Sequence, residues 1–193
     1  MKIHQLSVTY LAEQDRILVR VNTAAAEEMR LWLTRRLMLG LWPLLSKLLT
    51  KHLLMLEAAG SSLDTAGEDL KKMLADFRKE EFLKHADFET PYEENQPQLP
   101  LGEQPLLVTD VDASPLPSGR LRLSFNERPP GTEKPRSFQM EMEPKLMQGL
   151  MHLLEQALGR SQWAESFALG PTAVEAGPPD DDPAGPSKPR YLN

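Results

Sequence analysis

Residues 34–49 read TRRLMLGLWPLLSKLL, and residues 143–158 read EPKLMQGLMHLLEQAL. Laid over each other without a gap, they agree at seven of sixteen positions. Leu37 pairs with Leu146, Met38 with Met147, Gly40 with Gly149 and Leu41 with Leu150. Leu44, Leu45 and Leu49 pair with Leu153, Leu154 and Leu158. Two leucine-rich helices can match by composition alone. The shared glycine is not a composition effect, and the segments before each helix also correspond. Arg16–Asn22 matches Arg120–Asn126 at an offset of 104, keeping Arg and Asn at the ends. Leu6–Thr9 matches Leu106–Thr109 at an offset of 100.

The preceding segments alternate with period 2, the signature of half-buried strands. Leu6, Val8 and Tyr10 form a first strand. Glu13-Gln14-Asp15 makes a turn, Ile17, Val19 and Val21 a second strand, and Met29, Leu31 and Leu33 a third. Thr34 is placed to cap the helix that follows, its hydroxyl accepting from a first-turn amide. After residue 105 the order recurs. Leu106 and Val108 begin a strand, Leu121, Leu123 and Phe125 make the second, and Phe138, Met140 and Met142 the third. Glu143-Pro144 opens a helix with proline at its first position, where a missing amide costs least.

The fold class expected is therefore α+β: two internally duplicated β-β-β-α repeats of antiparallel strands plus helix, with a helical insert and a disordered C-terminal tail. The divisions fall at 1–60 (first repeat), 61–105 (helical insert and Pro-rich acidic linker), 106–167 (second repeat) and 168–193 (tail). The insert helix starts at the capping-box spacing Thr65-Ala66-Gly67-Glu68 and continues through Leu70, Met73, Leu74 and Phe77. Thr90–Pro105 and the segment from Gly170 bury too little apolar surface to offset backbone ordering of about 1–2 kcal/mol per residue. They read as a linker and an unfolded tail. The two repeats can join sheets edge to edge, or pack helix on helix about a pseudo-twofold axis.

On the first helix, Gly40, Pro43, Ser46, Lys47, Thr50 and Lys51 form one narrow polar stripe, and the remaining circumference is apolar, so the helix needs cover on more than one side. Pro43 predicts a kink or a broken turn. On the second helix Lys145, Gln148, His152, Glu155 and Gln156 face outward, while Leu146, Leu150, Leu153, Leu154, Ala157 and Leu158 face inward.

Charge is uneven. The net charge of −6 excludes polyanion binding through bulk charge. Residues 1–56 hold eight basic and four acidic groups, whereas residues 57–105 hold five basic and twelve acidic ones. There is no cysteine, so disulfides, thiolate zinc sites and cysteine nucleophiles are excluded. His4, His52, His85 and His152 make no metal-ligand spacing. His152 and Glu155 share a helix face and read as a solvated pair. Asp180-Asp181-Asp182 lacks the spaced ligands of a calcium loop. Neither a Gly-rich phosphate loop nor a Gly-x-Ser-x-Gly elbow is present. No catalytic, metal or cofactor-binding residues are assigned and no cofactor is expected; the chain reads as a non-enzyme. Leu37–Met55 is the most apolar stretch, but Lys47, Lys51 and His52 argue against a membrane span. The start shows no apolar leader, and the expectation is a cytoplasmic protein without membrane contact.

The reading of function is non-catalytic binding, as a protein–protein adaptor or accessory subunit in a bacterial-type cytoplasm. Its partner surface is the apolar first helix or an open sheet edge. The partner is an unknown protein, and the chain itself is a monomer with pseudo-twofold symmetry or a weak homodimer. The alternative is single-stranded nucleic acid, gripped by Arg20, Arg30 and Trp32 on the outer sheet face with Arg35 and Arg36 at its end. In the second repeat Arg122 and Gln139 take comparable positions, and Glu141 stands at the place of Trp32. In element order the chain resembles single-strand-binding folds of the PC4 and Whirly type, which have four strands per repeat where three are counted here. Gln98-Leu99-Pro100-Leu101-Gly102 resembles the short Gln-Leu-x-Leu peptides that dock bacterial replication and repair proteins on the sliding clamp. That resemblance implies Gln98, Leu99 and Leu101 as partner contacts; a chance match within a Pro-rich linker is the other reading.

Overall fold

A computed structural model describes residues 2–58, 97–128 and 135–163, together with 73, 77, 80–82, 84, 86, 90–92 and 131. The chain is α+β with two sheets, one of four strands and one of three. In order, the elements are β1 (Ile3–Leu11), β2 (Arg16–Thr23), β3 (Glu28–Thr34), α1 (Arg35–Ala58), β4 (Leu106–Leu107), β5 (Asp110–Pro115), β6 (Leu121–Glu127), β7 (Arg136–Met142) and α2 (Pro144–Ser161). The described residues at 73, 77, 80–82 and 84 are also helical. The start of that segment at Thr65, the tail from residue 168, His85 and Asp180-Asp181-Asp182 lie outside the described residues.

Alternation decides the strands. Ile17, Val19 and Val21 of β2 and Met29, Leu31 and Leu33 of β3 are buried, with half-buried polar or larger residues between them. Leu121, Leu123 and Phe125 of β6 and Phe138, Met140 and Met142 of β7 do the same. One core cluster joins these residues to Met38, Leu41 and Leu45 of α1 and to Met147, Leu150 and Leu154 of α2. Each such aliphatic side chain contributes roughly 1.5–3 kcal/mol relative to exposure. The helix starts are as the sequence implies: the Leu37 amide donates to Thr34 Oγ1 at 3.2 Å, and Pro144 occupies the first turn of α2.

The strand pairings correspond between the two sheets. Ile17 faces Leu33, Val19 faces Leu31 and Val21 faces Met29. At the offsets read from the sequence these become Leu121 with Met142, Leu123 with Met140 and Phe125 with Phe138, which are the observed pairs.

The first strand of the second unit needs correction. Leu106 and Leu107 pair in parallel with Leu31 and Trp32 of β3, and the Val108 amide donates to the Trp32 carbonyl at 3.0 Å. They extend the first sheet. The strand that pairs with β6 is Asp110–Pro115, with Val111 opposite Phe125 as Leu6 is opposite Val21. Val111 thus takes the register position in β5 that Leu6 takes in β1, 105 positions earlier. Leu106 and Val108 are buried apolar residues, and periodicity does not say which sheet such a pair joins. The sequence of β5, DVDASP, has almost no apolar alternation to mark it.

The helices cross over. The sheets are not joined edge to edge; instead α1 and α2 touch, and α2 lies against β1 of the other sheet. Near the end of α1, buried His52 Nε2 donates to the Gly119 carbonyl at 2.8 Å, in the turn between β5 and β6. Gly119 holds φ +75°, a left-handed value that suits glycine. Just past α2, Trp163 is buried and its Nε1–H donates to Asp15 Oδ1 at 2.6 Å, in the turn between β1 and β2. The Tyr10 ring meets the Trp163 ring edge-on at 5.6 Å, and the Tyr10 hydroxyl donates to the same Asp15 oxygen. That hydrogen bond, with some desolvation, raises the Tyr10 pKa. Each helix therefore ends against the hairpin of the opposite sheet.

Of the expectations for the helices, the broken turn at Pro43 is not found and one residue of α2 changes face. Backbone hydrogen bonding keeps α1 one helix from Arg35 to Ala58, with Pro43 inside it. Pro43 lies on the exposed side, where the carbonyl it leaves unpaired can meet water. On α2, Gln148 is buried, although the periodicity places it outward.

Candidate functional site

Among residues 35–52 of α1, whose side chains are described, the exposed ones are Arg35, Arg36, Leu39, Gly40, Pro43, Leu44, Lys47 and Lys51, which follow helical spacing along one stripe. Its ends are basic and its centre is apolar. Leu44 is 65% exposed and Leu39 39%. The polar stripe expected from sequence is therefore only partly the wet one: Ser46 and Thr50 are half-buried, and two leucines take the solvent instead. The Thr50 hydroxyl is satisfied on the helix itself, Oγ1 donating to the Ser46 carbonyl at 3.0 Å.

Beside this stripe lies a groove of about 600 Å³, between the first half of α1 and the crossover from β4 to β5. Thr34, Arg36, Leu37, Gly40, Leu41 and Leu44 form one wall, and Leu107–Val111 the other. A Cβ at Gly40 would meet no atom within 4 Å. The crossover wall is held from behind. The Leu107 amide donates to Glu127 Oε1 at 3.1 Å, and the Thr109 amide donates to the Asn126 carbonyl at 2.9 Å. Arg136 Nε donates to Glu127 Oε2 at 2.5 Å, and this bond holds the Glu127 carboxyl below its ordinary range. On the same wall Asp110 accepts from Asn126 Nδ2 at 3.3 Å and pairs with Arg128 at 3.4 Å. The groove is a mainly apolar slot whose lining includes Arg36 and Asp110, of opposite charge, and it is set on braced backbone.

The five residues of the nucleic-acid reading do not form one surface. Arg35 and Arg36 belong to the α1 stripe. Arg20 and Arg30 sit on the outer face of the first sheet as register partners, a like-charge pairing that needs compensation. Compensation comes from Glu28, which is buried and bonds Arg30 Nε at 2.5 Å. Tyr92 lies over this face. Its hydroxyl donates to Glu28 Oε2 at 2.9 Å, and the Arg20 guanidinium stands 4.3 Å from its ring centroid. Burial, then the bond to Glu28, pushes the Tyr92 pKa well above its ordinary value. Trp32 is half-buried on an interior strand between β2 and β4. On the second sheet Arg122 pairs across the strands with Glu141 at 2.7 Å and lowers that carboxyl's pKa; Gln139 bonds Ser124 at 3.0 Å.

Residues 97–105 are not an unfolded linker. The Gln98 amide donates to Ala26 and the Glu28 amide to Gln98, at 3.0 and 2.8 Å, as a parallel bridge beside β3. The Gly102 amide closes a turn on the Leu99 carbonyl at 2.9 Å, and the Leu101 carbonyl accepts from Arg136. Leu101 packs on the core, so Gln98, Leu99 and Leu101 stand in bound backbone, with Gln98 exposed. Sheet-edge main chain, which composition does not register, supplies the missing stabilisation. Of the four histidines, His52 is buried in the crossover, His4 is exposed on β1, and His152 Nε2 lies 2.9 Å from the Gln156 amide. Among the described residues no group of three or more His, Asp or Glu could hold a metal ion, and no helix is long and apolar enough to cross a membrane.

Sequence reasoning missed Glu28, Tyr92, Asp15 and Trp163. Glu28 was legible, since it shares the strand face of Arg30 at a spacing of two. Tyr92 and Trp163 carry no such signal, because each acts across a long stretch of chain. Comparison with protein-family models, curated proteins and solved structures finds no match to this chain.

Proposed function

We propose that the protein is a non-catalytic protein-binding module, an adaptor or accessory subunit, whose partner surface is the exposed stripe and groove of α1. It is built, in this reading, from a duplicated β-β-β-α unit. The corresponding strand registers and the shared Leu-Met-x-Gly-Leu of the helices support the duplication. One observation carries the function: Leu44 stands 65% exposed beside an open groove at Gly40. Exposed leucines on an ordered helix cost solubility, and set between the basic ends of the α1 stripe they suit an amphipathic partner. The single-stranded nucleic-acid alternative draws less support, because Tyr92 and Glu28 occupy the arginines it relies on.

Affinity capture at moderate salt tests this, with wild type and Leu44→Asp as baits. The expected result is a defined protein retained by wild type and lost with Leu44→Asp, while both baits give the same circular dichroism. Equal capture by both baits contradicts the assignment of the surface.

A further inference from the structure

The outer face of the first sheet holds a tyrosine in a built setting. Across β1, β2 and β3 the register sets two neighbouring rows, Gln5–Asn22–Glu28 and Ser7–Arg20–Arg30. Pro91 and Tyr92, which belong to neither helix nor strand, lie over both rows. Gln5 Nε2 donates to the Pro91 carbonyl at 3.3 Å. The Tyr92 hydroxyl donates to Glu28 Oε2 at 2.9 Å, and its ring meets the Arg20 guanidinium at 4.3 Å. Glu28 is 3% exposed, and its other oxygen receives Arg30. A cation thus reads the ring, a buried acceptor reads the hydroxyl, and an amide holds the main chain beside them.

The fold does not require this arrangement. A buried carboxylate is costly unless it is paired. At the register positions of Arg20, Glu28 and Arg30, the second sheet carries Ser124, Ser137 and Gln139. That sheet forms the same strand pairing with three neutral side chains, and Gln139 simply bonds Ser124. The buried acid and the two arginines therefore fit the tyrosine they hold, not a need of the sheet.

We propose that Gln5, Arg20, Glu28 and Arg30 form a binding site for an extended Pro-Tyr segment, filled from within the chain by Tyr92 and open to a partner's Pro-Tyr segment that displaces it. The site selects unmodified tyrosine. Phenylalanine leaves Glu28 Oε2 without its donor, and phosphotyrosine sets a second negative group against the carboxylate. No residue of α1 takes part, so this site and the Leu44 surface stand or fall separately.

Fluorescence anisotropy of a labelled peptide of residues 89–97, ETPYEENQP, against the full chain tests this. Tyr92→Ala empties the site and is expected to bind the peptide saturably, with a Kd of about 100 µM or below. Wild type is expected to bind at least about tenfold more weakly, because its own Tyr92 competes at a tethered concentration in the millimolar range. On Tyr92→Ala, the same peptide with phenylalanine or phosphotyrosine at that place is expected to lose about tenfold or more. Tyr92→Phe keeps the ring over Arg20 and lacks only the hydroxyl. Its affinity is expected between the other two, and it carries the test should the alanine chain lose its circular dichroism. No binding by either variant, equal binding by wild type and both variants, or equal binding of the tyrosine and phenylalanine peptides overturns the inference.

Discussion

Helices α1 and α2 share Leu-Met-x-Gly-Leu at residues 37–41 and 146–150, yet they meet their surroundings in opposite ways. On α1 the x is Leu39, exposed, and the glycine is open. On α2 the x is Gln148, buried, and the glycine lies under Phe82. The inward faces are alike: Met38, Leu41 and Leu45 are buried, as are Met147, Leu150 and Leu154. A helix's core-facing side follows from its own periodicity. Whether its other side is wet depends on what the rest of the chain lays over it. An apolar residue left on the wet side is the part that invites a partner.

The largest effect is expected where the helices end. Trp163→Ala removes a buried ring, its bond to Asp15 and its contact with Tyr10, and should cost about 3–5 kcal/mol in chemical unfolding. His52→Ala removes the smaller anchor of α1 and should cost about 1–3 kcal/mol. Equal losses would mean that the two crossover anchors are equivalent after all.

Next come the glycines. Gly149→Leu drives a side chain into Phe82 and should destabilise by about 1–3 kcal/mol. Gly40→Ala adds a Cβ that meets nothing within 4 Å and replaces a helix-interior glycine, so thermal unfolding should show a gain of up to about 1 kcal/mol. The same sign at both sites would erase the contrast between the helices.

The sheets should differ in pH response. Glu127 has a lowered folded pKa, so its contribution is present above the unfolded value of about 4.3 and is lost as pH falls below it. Glu127→Gln should flatten the acid limb of the stability curve. Tyr92 has a raised folded pKa, so its contribution is present below the unfolded value of about 10 and is lost as pH rises beyond it. Tyr92→Phe should flatten the alkaline limb. The smallest effect belongs to the turns. Ala26, between β2 and β3, holds φ +57°, whereas Gly131, between β6 and β7, holds φ +80°. Ala26→Gly should relieve the left-handed strain and stabilise by up to about 1 kcal/mol.

Much of this fold is legible in the sequence, and its failures share one cause. β2, β3, β6, β7 and both helix starts announce themselves through local periodicity and capping. Leu106–Leu107 reads as part of the second sheet because a buried pair looks the same in either sheet. Thr90–Pro105 reads as linker because its composition cannot show that Gln98 bonds to the backbone of Ala26 and Glu28. The arginine face looks available until Tyr92 is seen above it. At the candidate site, the apolar wealth of α1 is evident from the sequence. That Leu39 and Leu44 are its exposed part is not, because exposure depends on the absence of a neighbour.

A single reporter tests the central claim most directly. The chain has no cysteine, so Lys47→Cys can carry one environment-sensitive fluorophore on the exposed stripe of α1, three positions from Leu44. A protein retained by the wild-type bait, titrated into it, should give a saturable blue shift, and should give none when the labelled chain also carries Leu44→Asp. Emission that stays constant at every concentration of that protein would contradict docking on α1.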